Sequence, residues 1–148
     1  MKFLKFETHS EEETIELGAV IAGHLPVKAT VLLIGNLGAG KTTLAKGMVQ
    51  GRGAAAPEEV SSPTFTLIHE YGTEVYHIDL YRLDEPEQVA NLGLDEIFDR
   101  EALVLVEWGE RFPNLMPADR FEIRLTPTGE TSRQIMITSG QDQVRASG

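Results

Sequence analysis

The chain has 148 residues, 41% of them hydrophobic and 24% charged, which suits one soluble globular domain with a core of ordinary size. It has no cysteine, which excludes disulfides, thiolate metal sites and cysteine catalysis and suits a cytoplasmic protein; no apolar run approaches membrane-spanning length. Thirteen basic against 23 acidic residues give a net charge of −10, which argues against direct tRNA or DNA binding as the main task and for partner surfaces of opposite charge.

Residues 2–7 read as a first strand. Ser10 and Glu13 form a capping box, S-x-x-E, that opens a helix. Leu17, Ile21 and Leu25 recur four apart as its buried stripe, and Pro26 ends it. Residues 29–34 are apolar on both faces, as a central strand of a covered sheet must be. A glycine-rich loop follows, then a helix from about Thr42 that stops near Gly51 and Gly53. Residues 65–71 and 74–80 predict a hairpin turning at Gly72-Thr73. Asp84 and Glu87 make a second capping box, with Pro86 in the first turn. Residues 102–106 form a second fully apolar strand running into Glu107-Trp108. A last hairpin joins 120–126 to 133–138 through Gly129, and residues 141–148 read as a frayed tail. No repeat or linker divides the chain, so residues 1–148 are taken as one domain.

The sharpest signal is Gly35-Asn36-Leu37-Gly38-Ala39-Gly40-Lys41-Thr42, a full match to G-x-x-x-x-G-K-[ST] between a buried strand and a helix. Its glycines free backbone N–H groups to curl around phosphates, and the next helix adds its positive N-terminal end. Lys41 would reach the β- and γ-phosphates of a nucleotide and Thr42 would ligate Mg²⁺, so Mg-ATP is the expected ligand. Such a site also needs carboxylates at strand ends near the metal. Glu107 closes the strand of residues 102–106, and Asp79 lies late in the strand of residues 74–80; the alternative for each is a solvated strand end. Trp108, the sole tryptophan, reads as a packing residue whose place beside Glu107 also makes it a candidate for the nucleotide site. His9, His24, His69 and His77 read as structural, with no zinc-ligand spacing. Ser61-Ser62-Pro63-Thr64-Phe65 reads from its chemistry as a Ser-Pro turn, at a position where a hydroxyl could follow the γ-phosphate.

Taken together, the P-loop with Thr43, Ser62-Pro63-Thr64-Phe65-Thr66-Leu67, Tyr76-His77-Ile78-Asp79-Leu80-Tyr81-Arg82-Leu83 and Leu105-Val106-Glu107-Trp108 resemble the TsaE (YjeE) family. Thr14-Ile15-Glu16-Leu17-Gly18 is similar to that family's N-terminal helix, and the likeness runs from about Ser10 to Thr138. Asn36 departs from the acidic residue common in the family, and the stretch 109–113 adds nothing to the match. The elements fit a single P-loop NTPase domain of the α/β class with a central sheet flanked by helices, and the hairpin of residues 65–80 implies that this sheet is mixed, part parallel and part antiparallel. The resemblance implies a cytoplasmic ATPase that supports N6-threonylcarbamoyladenosine modification at adenosine 37 of tRNA, working with TsaD and TsaB, with TsaD making the transfer. Lys41, Thr64, Asp79 and Glu107 carry over as catalytic, Thr64 as a switch-like hydroxyl. Gly38, Ala39, Gly40, Lys41, Thr42, Thr43, Asp79 and Trp108 carry over as nucleotide contacts, and Thr42, Asp79 and Glu107 as the Mg²⁺ side of the site. Ser10, Glu11 and Arg133 are the looser candidates for the adenine end.

Two other functions share such a cradle. A small-molecule kinase would bring arginines on a mobile lid, but the eight arginines are scattered with no glycine-flanked cluster. A non-hydrolysing nucleotide-dependent binding module would have less need of Asp79 and Glu107.

Overall fold

The computed structural model describes residues 3–63 and 66–139. The expected frayed tail of residues 141–148 falls outside them. Seven strands form one mixed sheet: β1 (Phe3–Thr8), β2 (Ala29–Ile34), β3 (Ile68–Tyr71), β4 (Val75–Asp79), β5 (Leu103–Glu107), β6 (Phe121–Pro127) and β7 (Arg133–Ser139). Their spatial order is β1-β7-β6-β2-β5-β4-β3. The middle four run parallel, while β1, β7 and β3 are antiparallel additions at the two edges. This is the α/β class with the mixed sheet expected from the hairpin. Every residue of β2, β4 and β5 is buried, which is why these strands read as continuous apolar runs except where they carry chemistry.

The two faces bury separate clusters. Val31, Leu33, Leu103 and Leu105 face Leu44, Ala45, Met48 and Val49. Leu32, Ile78, Val104 and Val106 face Val89, Leu94, Ile97 and Phe98. The first face is covered by α2 (Lys41–Gly51), with α1 (Glu11–His24) packed beside it; the second is covered by two short helices, α3 (Pro86–Ala90) and α4 (Leu94–Phe98).

Several boundaries differ from expectation. Ser10 caps α1 by accepting from the Glu13 N–H at 3.1 Å, but Glu13 accepts from the His9 N–H, so the reciprocal bond is set one residue outward. The buried face of α1 centres on Thr14, Gly18, Ile21 and Ala22, with Leu17 and Leu25 only half-buried. The reason is steric: a Cβ on Gly47 would stand 1.9 Å from the Ile15 carbonyl oxygen, and one on Gly18 would stand 2.5 Å from that of Leu44. The two helices therefore touch backbone to backbone, a contact that periodic leucines do not announce. β3 starts at Ile68, because Leu67 takes a left-handed φ of 70° and breaks the strand foreseen from residue 65. The second cap shifts by one residue: Gln88 accepts from the N–H groups of both Asp84 and Glu85, and Glu85 rather than Asp84 precedes Pro86.

The α1–α2 contact yields a direct test. Gly47→Ala inserts a methyl where backbone already stands, and overpacking of that kind costs about 3 kcal/mol. Thermal or urea unfolding should show a loss of that order, whereas Gly53→Ala, with nothing within 4 Å of its Cβ position, should lose less despite its positive φ.

Candidate functional site

The site forms at the carboxyl edge of the parallel strands, where open α/β sheets place ligands. The loop leaving β2 reverses through Gly38 at φ 79° and Gly40 at φ 102°, and Gly40 becomes the N-cap of α2. Side-chain-bearing residues rarely adopt such angles, so these two glycines are what allow the amides to curl inward. Arg133 braces the loop from behind: its Nε donates to the Ala39 carbonyl at 2.8 Å and its Nη2 to the Gly38 carbonyl at 3.3 Å. The Ala39 N–H donates to the Asn36 carbonyl at 3.0 Å, and with the Gly38 and Ala39 carbonyls held by the guanidinium the loop keeps its remaining N–H groups for an anion.

Lys41 opens α2 and is 5% exposed. Its Nζ is buried with no hydrogen-bond partner among the described residues and lies 3.6 Å from the centroid of the Trp108 ring. Burial lowers its pKa below the ordinary lysine value, opposed by the negative charge of Glu107, Glu110 and Asp79. Parallel pairing places Asp79 directly opposite Glu107 at the ends of β4 and β5. Both are 3% exposed, so neither is a solvated strand end. Asp79 accepts from the Ser62 hydroxyl at 3.0 Å and from the Tyr81 N–H at 2.9 Å. Glu107 Oε2 accepts from the Thr42 hydroxyl at 3.4 Å and from His77 Nε2 at 2.6 Å.

Trp108 has φ 68°, unusual for a bulky residue, and this turn swings its ring over Lys41. Tyr81 packs against the ring at 5.2 Å between centroids, and the Arg111 guanidinium lies 5.5 Å from it. Arg111 Nη2 in turn donates to the carbonyls of Leu80, Tyr81 and Leu83, fixing the segment after Asp79. Glu110, half-buried nearby, has its carboxyl pKa raised by burial.

A cleft of about 430 Å³ unites these groups, lined by Gly38, Gly40, Lys41, Thr42, Thr43, Ser62, Asp79, Tyr81, Glu107 and Trp108. It reaches Glu11 and Arg133, which also line a smaller adjoining recess with Thr14, Glu130 and Thr131. Of the expected site residues, Lys41, Thr42, Thr43, Asp79, Glu107, Trp108, Glu11 and Arg133 converge here; Ala39 is buried behind the loop. Ser10 lines neither space and spends its hydroxyl on the α1 cap. Thr64, the expected switch-like hydroxyl, lies outside the described residues. Tyr81, Arg111 and the His77 contact with Glu107 are not among the features expected from sequence. Only His77 left a signal: it sits two residues before Asp79, hence on the same face of the strand. A larger cavity of about 840 Å³ lies at the opposite strand ends, by Ala29, Thr30 and Phe121, and contains none of the motif residues.

Fold and loop together define an α/β domain with a mixed seven-stranded sheet and a glycine-rich loop between β2 and α2. The family model described as "Threonylcarbamoyl adenosine biosynthesis protein TsaE" matches residues 8–135. A Bacillus subtilis (strain 168) protein named tRNA threonylcarbamoyladenosine biosynthesis protein TsaE is 38% identical over 142 residues, covering 94% of this chain and 87% of its own. A Nostoc protein of the same name is 43% identical over 136 residues, covering 86% and 81%. The crystal structure of Bacillus subtilis YdiB superposes with a TM-score of 0.77 at 32% identity, covering 98% of this chain and 90% of that one. The chain belongs to the TsaE family.

The buried lysine links stability to pH. Its native pKa lies below the unfolded value of 10.5, so the unfolded chain binds more protons across that interval and stability rises with pH there. Lys41→Met should therefore melt higher than the parent at pH 7, and the gap should narrow as pH is raised toward 10.5. Paired thermal melts across that range check it.

Proposed function

We propose that this chain is an Mg-ATP hydrolase that supports threonylcarbamoyladenosine modification of tRNA in concert with TsaD and TsaB. The observation that carries the nucleotide reading is Lys41: a buried ammonium without a hydrogen-bond partner among the described residues, at the mouth of a glycine loop and facing two buried carboxylates. A triphosphate supplies the missing acceptors. The modification role rests on family membership and on the printed names of the relatives.

In this reading the N–H groups of Gly38, Gly40 and Lys41 and the N-terminus of α2 hold the phosphates. Lys41 moves from the Trp108 ring onto the β- and γ-phosphate oxygens. Among the described residues no three His, Asp or Glu side chains cluster as a self-sufficient metal site. That suits Mg²⁺, which is commonly bound by one or two carboxylates together with substrate phosphates. The residues that would hold it are Thr42, Glu107 and Asp79, and it would supply neutralisation of charge on the phosphates. Glu107 and Asp79 also orient the attacking water, and Ser62 tethers Asp79. Tyr81 and Trp108 wall off the cleft. Arg133, which lines the cleft, and Arg111, against the Trp108 ring, are engaged with backbone carbonyls, and no observation favours the kinase alternative. No helix among the described residues is long and apolar enough to cross a membrane. A net charge of −10 favours docking on a basic protein surface over direct capture of tRNA.

Glu107→Ala should lower turnover about 100-fold while changing ATP affinity measured without Mg²⁺ far less, because loop and lysine still hold the phosphates. Steady-state phosphate release beside calorimetric ATP binding checks this; normal turnover would remove Glu107 from the mechanism. The chain alone should be a slow ATPase whose turnover changes when a TsaD–TsaB pair is added. Association measured in ATP and in ADP tests the partner reading, and absence of association in both would overturn it. If ATP strengthens docking, docking must strengthen ATP binding by the same factor.

A further inference from the structure

We infer that His77 is a positioning residue whose Nε2–H sets the Glu107 carboxylate for the divalent cation; the inference rests on the proposed Mg-ATP site. His77 lies in the middle of β4 and is fully buried. On the same face of β4 and β5 stand Val75, Asp79, Leu103, Leu105 and Glu107, so an aliphatic residue would suit the packing at position 77. The imidazole is instead a polar group in an apolar layer, and its Nδ1 has no hydrogen-bond partner among the described residues. Burying such a group opposes folding, and the contact that accounts for it is the one at the other nitrogen. Nε2 meets Glu107 Oε2 at 2.6 Å, and because a carboxylate offers only acceptors, Nε2 carries the proton.

The geometry makes this a lever on the site. His77 is one pleat deeper than Asp79, which is paired with Glu107 across the strands. The imidazole therefore grips Glu107 from within the sheet while the Thr42 hydroxyl approaches the same oxygen at 3.4 Å from α2. Without His77, only that longer Thr42 contact would remain among the described hydrogen bonds to this carboxylate. Glutamate has three rotatable side-chain bonds, so an ungripped Glu107 would spread over orientations of which few serve the cation. Groups that orient a metal-binding carboxylate in this way typically govern metal affinity about 10-fold or more.

The test uses the full chain and ATP as the probe, titrated calorimetrically with excess Mg²⁺ and with EDTA. His77→Leu should lose about 10-fold of the gain in ATP affinity that Mg²⁺ confers, with affinity in EDTA unchanged. His77→Gln, whose Nε2 reaches the same place, should restore it. His77→Asn, whose amide ends short at the Nδ1 position, provides a second loss variant should the leucine variant not unfold cooperatively. Glu107→Gln separates the two claims. If Glu107→Gln loses the Mg²⁺ gain while His77→Leu and His77→Asn keep it, the positioning role is overturned and the site reading stands. If Glu107→Gln keeps the gain, the cation reading of Glu107 fails and takes the inference with it. Equal losses with Mg²⁺ and EDTA, unrescued by glutamine, would show a packing role and overturn the inference as well.

Discussion

The register between β4 and β5 is the constraint on which the site depends. Parallel pairing sets Asp79 against Glu107 with both carboxylates nearly out of water. Two such charges repel, and groups that donate to or attract each carboxylate offset part of the cost. The described structure supplies Lys41 above, Thr42 and His77 on Glu107, and Ser62 with the Tyr81 amide on Asp79. A slip of one residue in either strand would turn its carboxylate to the other face, into the cluster of Leu32, Ile78 and Val106, where no such partners stand.

The cation side is built with similar economy. Lys41 is desolvated, and the polarizable face it meets is an indole carried on a strained backbone. A left-handed φ on a bulky residue costs about 1–3 kcal/mol, so the surroundings must enforce it. They do: Tyr81 and Arg111 hold the ring, and Arg111 is itself anchored on three carbonyls of the segment after Asp79. The strand that delivers one carboxylate thus leads straight into the loop that steadies the aromatic cover beside the other.

What could be read from sequence divides along physical lines. β2 and β5 were plain because full burial on both faces writes an uninterrupted apolar run, and the loop between β2 and α2 was plain because phosphate chemistry demands a fixed string of residue types. Glu107 and Asp79 were legible as carboxylates ending apolar strands. The α1–α2 seam was not, since Gly18 and Gly47 leave no hydrophobic signature where backbones touch. Leu67 broke the expected strand through a backbone angle that propensity does not encode. The contact of His77 with Glu107 leaves no sequence signature because its partner is 30 positions away on a neighbouring strand. Arg111 is not legible in the sequence because its carbonyl contacts depend on tertiary placement alone.

The brace on the phosphate loop has a consequence for the order of assembly. Arg133 stands 94 residues beyond the Ala39 carbonyl it holds, on a strand that slots between β6 and β1. During synthesis the loop therefore emerges long before its clamp, and β1 waits as an unpaired edge until β7 arrives. Completing the sheet and tensioning the loop are one event, so a nascent or C-terminally clipped chain could hold much of the parallel core yet lack a fully braced cradle.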